Sequence, residues 1–487
     1  MTRKKFLFSG LGVIFIAGLI FRLICVFSWG SLMFDELVSL AIVGKPLGEL
    51  GTYLKLEMHP VVHFYYLHFW VKLWGGTGAA IRLSSLVISF FCLPGIYFLG
   101  KEMFNSRRAG LVASFLFSFS AYFIFYSVMG RMYVLLALFT ILSFYFFLKI
   151  LKKSRPGFKL HSAYTLTTLI AYHTHLTTAL IIPVQLAYIF LIKPEKVKRF
   201  FWDWLIVVIL YLPWFVFFLS HKFAGLNSQA WYFGSVDYGK ISLYPFKFVI
   251  IGSGIIPQTM FQILAGVVLA LFLYRVYKDR RRIKFQKLIL PALILVISFS
   301  FLTFTGLTVM RYFIIPGLGM ILILAYLISR FNYKAWTSLV MISLFLVLFI
   351  NSLGSVLRYR STEWQEGINY INQNPNRAEA IILAHDNHYL AFDYYYKGDL
   401  PVVSVRAGEK QDRLFQILEN CVYPATKEEN LEKLKQINKN YDKIFLVLKT
   451  KNFENSQRET KNWFLENDWE IKGGQEPKFL EIYLLEK

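Results

Sequence analysis

Apolar runs long enough to cross a bilayer recur at least ten times in this 487-residue chain, and that recurrence excludes most folds before any motif is considered. The hydrophobic set makes up 56% of the residues, with 48 Phe and 29 Tyr, more apolar surface than a water-soluble core could enclose. The runs predict spans near 6–27, 80–100, 109–127, 132–150, 162–176, 177–192, 201–220, 258–275, 287–305, 311–329 and 335–356. The expected fold is therefore a polytopic α-helical membrane protein with about eleven transmembrane helices, in a range of eleven to thirteen, the stretch 241–256 being able to add a crossing or to lie at the interface. The first run follows Arg3-Lys4-Lys5, is longer than a signal-peptide core and has no small-x-small cleavage site before Trp29. It reads as a retained first span with a cytoplasmic N-terminus.

A net charge of +23 could mean a nucleic-acid partner, but the charge is not spread at random. With the N-terminus inside, the cytoplasmic loops become 101–108, 152–159, 193–199, 278–287 and 330–334, and every one is basic. Topology accounts for the excess, and no nucleic-acid partner is expected. Cys25, Cys92 and Cys421 have neither metal-ligand spacing nor the pattern of a disulfide framework. The chain divides at a change of composition: a membrane module over 1–357, including external loops 28–79 and 221–257, then a tail over 358–487. Short apolar strands at 379–384, 443–448 and 479–485 alternate there with polar helical stretches at 409–419 and 428–438, predicting a small α/β domain outside the membrane.

Against this background a few polar residues stand out. Asp35-Glu36 follows Trp29, Leu32 and Phe34 just past the first span, where carboxylates suit a general base or, alternatively, the solvated first turn of an interface helix. Glu57-Met58-His59-Pro60 precedes His63, Tyr65, Tyr66 and His68; a helix starting at Pro60 would put 59, 63 and 66 near one face. His173-Thr174-His175 closes the fifth run. Glu57 with these histidines could supply ligands for a divalent ion, Zn, Mg or Mn, and a histidine beside aromatics could equally be an interfacial anchor. Arg131 and Arg311 stand on the external side, against the positive-inside bias. Guanidinium forks there suit phosphate, or pair with Asp35, Glu36 or Glu57 as structural bridges. Lys222 is a third possible phosphate contact. No Walker loop, Rossmann fingerprint or Ser-His-Asp set is present, so no nucleotide cofactor is expected and the energy must arrive stored in the substrate.

Taken together, Phe34-Asp35-Glu36, Glu57-Met58-His59-Pro60 before Tyr65-Tyr66, Gly130-Arg131-Met132-Tyr133, and Arg311-Tyr312-Phe313 with Pro316 behind resemble the GT-C membrane glycosyltransferases, in the branch of the protein O-mannosyltransferases and lipid A aminoarabinose transferases. The resemblance covers about 1–356 and implies an inverting transfer of one hexosyl or pentosyl unit. The donor would be a polyprenyl-phosphate sugar and the acceptor a lipid, glycan or protein, on the non-cytoplasmic face of a prokaryotic plasma membrane. It implies Asp35 as the base that activates the acceptor, with Glu36 supporting it or orienting the donor. Arg131 and Arg311 would receive the donor phosphate, and His59, Tyr65, Tyr133 and Tyr312 would line the substrate cavity. By the same resemblance Glu57 lies near a metal site whose other protein ligand is an external-loop histidine, with His173, His175 and His221 as nominees. A monomer among membrane lipids is expected. The departure is His59-Pro60-Val61, where many relatives carry a second proline and the aminoarabinose branch a lysine for His59. A lipid-linked-sugar flippase, or a ligase or polymerase using a diphosphate-linked glycan, remains the alternative reading.

Overall fold

In the computed structural model the described residues are 3–55, 57, 59–226, 258–307, 309–331, 363–385, 387–405, 414, 427–449, 454–477 and 480–487, with scattered helical positions between 339 and 354. The chain forms two compact units. One comprises Met1–Ser28, His59–Lys222 and Ala230–Tyr359; the other comprises Trp29–Met58, Phe223–Gln229 and Arg360–Lys487.

The helices run α1 (Arg3–Ser28), α2 (Phe34–Val43), α3 (Leu50–Leu54), α4 (Val62–Trp74), α5 (Gly78–Phe104), α6 (Arg107–Phe119), α7 (Ala121–Val128), α8 (Tyr133–Lys152), α9 (Phe158–Tyr172), α10 (Ile181–Ile192), α11 (Phe201–Leu226), α12 (Gln258–Lys278), α13 (Ile289–Phe304) and α14 (Ile314–Arg330). In the first unit, burial separates inner from outer helices. Some 78% of the apolar window at Met310–Arg330 is buried, 67% at Tyr133–Lys152 and 61% at Gly78–Phe104, against 28% for Gly10–Ser28 and 22% for Pro194–Leu219. The outer helices present Ile16, Ile20, Phe27, Ile209 and Val216, residues suited to lipid. The inner ones approach closely: a Cβ on Gly319 of α14 would sit 2.7 Å from the Leu295 backbone nitrogen of α13. Ends are set locally. Thr77 caps α5 by accepting the Ala80 N–H at 3.2 Å, and Asn105 takes the left-handed conformation, φ 51°, that stops it.

The expectation of about eleven crossings is overturned. Among the described residues six helices are long and apolar enough to span a membrane, or seven if the bent pair α6–α7 counts as one span. Hydropathy reads 109–127 as continuous, but Ser120 is extended (ψ 122°), its hydroxyl accepts the Phe123 N–H at 3.4 Å, and the axis turns by 65° there. The break frees carbonyls at the end of α6, and the fully buried Arg22 of α1 takes them up. Its guanidinium donates to Ser118 O (2.8 Å), Phe117 O (3.2 Å) and Ser127 Oγ (2.8 Å). The fifth and sixth expected spans are likewise too short: α9 has 15 residues, and after His173-Thr174-His175 the chain passes through a 3₁₀ turn into the 12-residue α10. A helix of 15 residues reaches only about 22 Å, short of a hydrocarbon core of about 30 Å. The expected span 335–356 and the stretch 241–256 lie largely or wholly outside the described residues.

The second unit holds α15 (Glu363–Gln373), β1 (Ala380–Leu383), α16 (Asn387–Tyr395), β2 (Val402–Ser404), α17 (Lys427–Asn440), β3 (Lys443–Lys449), α18 (Glu454–Glu466), β4 (Glu470–Gln475) and β5 (Leu480–Glu486). The sheet order is β2-β1-β3-β5-β4. β1 pairs parallel with β2 and β3, while β5 runs antiparallel between β3 and β4. Ala380 to Leu383 are buried at every position, as a central parallel strand covered on both faces must be. Strands stand at all three apolar runs read from the tail, and a helix stands at 428–438; most of 409–419 lies outside the described residues. Segment Trp29–Met58 joins this unit: α2 packs on α16, and Tyr395 Oη accepts the Leu32 N–H at 2.7 Å.

Candidate functional site

Arg131 and Arg311 are each presented by a turn that its neighbours hold. Arg131 follows Gly130, whose Cβ, if present, would meet Ile81 at 3.1 Å, so the turn lies flush on α5. Ser85 Oγ donates to Met129 O at 2.7 Å and fixes the same turn. Arg131 is 4% exposed, its guanidinium 5.9 Å from the Phe64 ring centroid. Arg311 lies in the 3₁₀ turn Met310–Phe313 that opens α14, and Tyr122 Oη donates to Met310 O at 3.0 Å. Its guanidinium stands 5.9 Å from the Tyr312 ring centroid.

The histidines come from two segments joined through the backbone. Val62 N donates to His173 O at 3.0 Å, tying the chain after Pro60 to the break after α9. Across that tie His59 and His175 stack at 4.6 Å between ring centroids. His175 also faces Tyr312 at 5.5 Å and Tyr133 at 6.0 Å, and Tyr133 packs on Tyr126 at 5.1 Å. Burial first, then the charges of Arg131 and Arg311, push the His175 imidazole down to about 3. Burial holds His59 well below the usual histidine range, helped by His175, Arg131, Arg311 and His63, and burial with Arg131 does the same to His63. These rings are neutral at ordinary pH. Two guanidinium groups thus act on a buried set of neutral imidazoles and phenols, surroundings that favour an anion with several oxygens. Among the described residues, the buried Nδ1 of His59, both ring nitrogens of His63 and Nε2 of His175 have no hydrogen-bond partner.

Arg131, Arg311, His59, Tyr133 and Tyr312 are thereby brought together, and His175 joins them. Tyr65 is 37% exposed and lies off the buried face of α4, which is made by His63, Phe64, Leu67 and His68. The helix starts at Val62, so the buried face runs through 63, 64, 67 and 68 rather than 59, 63 and 66. Phe64 and Tyr126, which back the arginine and Tyr133, had no signal in the sequence beyond their proximity to motif residues. Asp35, Glu36 and Glu57 belong to the other unit. Glu36 is buried and accepts the Met33 N–H at 3.0 Å, which caps α2; Asp35 beside it is partly exposed. The side chains of Lys222 and His221 lie outside the described residues.

Among the described residues no group of three or more His, Cys, Asp or Glu side chains is placed to hold a metal ion. The nominated histidines diverge. His173 Nε2 meets Leu210 O at 3.3 Å and its ring packs on Tyr211 at 5.6 Å, whereas His175 turns to His59. His173 and His175 therefore do not converge on one point.

Residues 58–221, about a third of the chain, match the sequence pattern of a family described as dolichyl-phosphate-mannose-protein mannosyltransferase. No curated protein matches the whole sequence significantly. Among solved structures, ArnT from Cupriavidus metallidurans bound to undecaprenyl phosphate superposes with a TM-score of 0.61 at 12% identity, over 98% of each chain. Its apo state gives 0.59 at the same identity and coverage. The oligosaccharyltransferase AglB from Archaeoglobus fulgidus, in complex with an inhibitory peptide and a dolichol-phosphate, gives 0.51 at 11% identity, over 91% of this chain and 69% of that one. The fold is that of the GT-C membrane glycosyltransferases, and the chain resembles the branch that holds the O-mannosyltransferases and ArnT.

Proposed function

We propose that this protein transfers a single sugar from a polyprenyl-phosphate donor to an acceptor, with inversion, on the non-cytoplasmic face of a prokaryotic plasma membrane. One observation carries the reading: the turns that present Arg131 and Arg311 converge on the stacked, buried pair His59 and His175, whose second ring faces both Tyr133 and Tyr312, and both guanidinium charges bear on that pair. Attack at the anomeric carbon builds positive character on the sugar and negative charge on the departing phosphate. Cations fixed beside that phosphate therefore help most in the transition state. Polyprenyl phosphate is a good leaving group and needs no acid at its oxygen.

Asp35 is the base for the acceptor hydroxyl or amine. Glu36 spends its carboxylate on the Met33 N–H and holds the turn from which Asp35 projects. A direct displacement needs one base and one stabilised leaving group, whereas retention would need a second nucleophile on the opposite face. The face follows from charge: α8 ends in Lys149 and Lys152 and α14 ends in Arg330, opposite the ends that carry Arg131 and Arg311. Lipid, glycan and protein acceptors are all compatible with these residues.

The test is turnover of purified full-length protein in lipid with a panel of polyprenyl-phosphate sugars and candidate acceptors, native against Asp35→Asn. A loss of about a hundredfold or more is expected. Equal turnover removes Asp35 as the base; no transfer from any donor in the panel by native protein removes the reading itself.

A further inference from the structure

Resting on the transferase reading above, we propose that His175 is a third binding residue for the donor phosphate, donating a hydrogen bond from Nε2–H to a phosphate oxygen beside Arg131 and Arg311. The position of its proton follows from its neighbours. His175 precedes the 3₁₀ turn Leu176–Leu180 as its N-cap, and the Thr177 backbone N–H points at Nδ1 at 3.2 Å. A backbone amide can only donate, so Nδ1 must present its lone pair. The Thr177 hydroxyl, 3.0 Å from the same nitrogen, donates there as well. A neutral imidazole holds one ring proton, and it stands on Nε2.

That N–H is buried and, among the described residues, has no acceptor. Its surroundings are the stacked His59 ring, the Tyr133 and Tyr312 rings, and the fields of the two arginines. A buried donor kept without an acceptor is uncommon, and next to two guanidinium groups the acceptor that fits is an anion's oxygen. The same polarity argues against a metal. An imidazole that binds a metal through Nε2 normally carries its proton on Nδ1 and donates it to a carbonyl or carboxylate, whereas here Nδ1 faces a donor. Two neighbouring arginines also repel a cation.

Two substitutions divide the two ends of the ring. In His175→Asn, Oδ1 replaces Nδ1 and keeps the cap on Thr177, while the distal donor disappears. In His175→Gln, the amide nitrogen reaches toward the Nε2 position while the cap is lost. The measurement is the affinity of full-length protein in detergent micelles for undecaprenyl phosphate, with inorganic phosphate as a headgroup-only probe and melting temperature recorded alongside.

His175→Asn is expected to melt like the native protein and bind undecaprenyl phosphate about tenfold or more weakly, as for one hydrogen bond to a charged group. His175→Gln is expected to melt lower and keep more of the affinity. The reverse pattern, with His175→Asn binding like native protein, overturns the proposal and leaves a capping residue. Equal loss in both, with a bound metal found in native protein by elemental analysis, overturns it in favour of a ligand. Arg131→Ala separates the two readings. If it weakens binding and His175→Asn does not, only the role of His175 fails; if native protein binds no polyprenyl phosphate, the transferase reading fails with it.

Discussion

Helices α8 and α14 each carry positive charge at both ends, and the two ends differ in everything except sign. At one end Arg131 is 4% exposed and Arg311 partly buried, among imidazoles that burial keeps neutral. At the other, Lys149 and Lys152 have side chains 37% and 41% exposed and meet Glu102 at 3.0 and 2.9 Å. Arg330 lies over the Tyr326 ring at 5.0 Å, Lys196 donates to Leu151 O near the end of α8 at 2.8 Å, and Arg199 donates to Lys153 O just past it at 2.7 Å. Lys149 and Lys152 at that end are open to solvent and share one carboxylate, so their charges need no further ligand. The buried end holds several imidazole nitrogens that, among the described residues, no protein group serves. Charge alone marks topology; charge with desolvation and orphaned polar atoms marks a site.

The contrast breaks most directly through activity. Arg131→Ala or Arg311→Ala is expected to lower turnover about a hundredfold to a thousandfold, the range for removing one group that stabilises developing negative charge, while Lys152→Ala stays within about twofold. A comparable loss in Lys152→Ala would erase the distinction.

Acid should sharpen it next. His59, His63 and His175 are held below their ordinary range when folded, and His175 is pushed down to about 3. Between about pH 6.5 and that value the unfolded chain binds more protons than the folded one. Their contribution to stability is therefore complete above about 6.5 and lost as pH falls, with His175 alone giving up about 2 kcal/mol by about pH 5. Thermal melting in detergent should fall by several degrees from pH 7.5 to 5. His63→Phe, which removes two ring nitrogens without a partner among the described residues, should melt like native protein at pH 7.5 and decline less in acid. An unchanged acid slope would mean that another group sets it.

The smallest effect belongs to the solvated end. Glu102→Gln removes the partner of both lysines and should cost about 1 kcal/mol or less in a melting experiment. A large drop there would mean that this end is a built site as well.

Much of this pattern was legible before any coordinates. Arg131 and Arg311 stood out because they oppose the charge bias of the loops, and the three apolar runs in the tail were read as strands because a core strand of a small α/β domain is short and apolar. What hydropathy misses is backbone direction. It averages over Ser120, whose hydroxyl competes for the helix amides, and over His173-Thr174-His175, where α9 stops, so it counts bent and short helices as crossings. Nor could it find the His59–His175 stack, which depends on one bond between Val62 and His173, far apart in sequence. Arg22 reads as an unexplained charge inside the first span until the carbonyls it serves are seen.

The bond from the Leu32 amide to Tyr395, with α2 packed on α16, gives the tail a part in where the carboxylate pair is held. Inheritance of the two regions is then coupled: a chimaera that exchanges the tail for that of a distant relative must exchange 29–58 with it, or leave Asp35 on a helix whose footing has been replaced. Truncation at the end of the membrane module would remove that footing altogether.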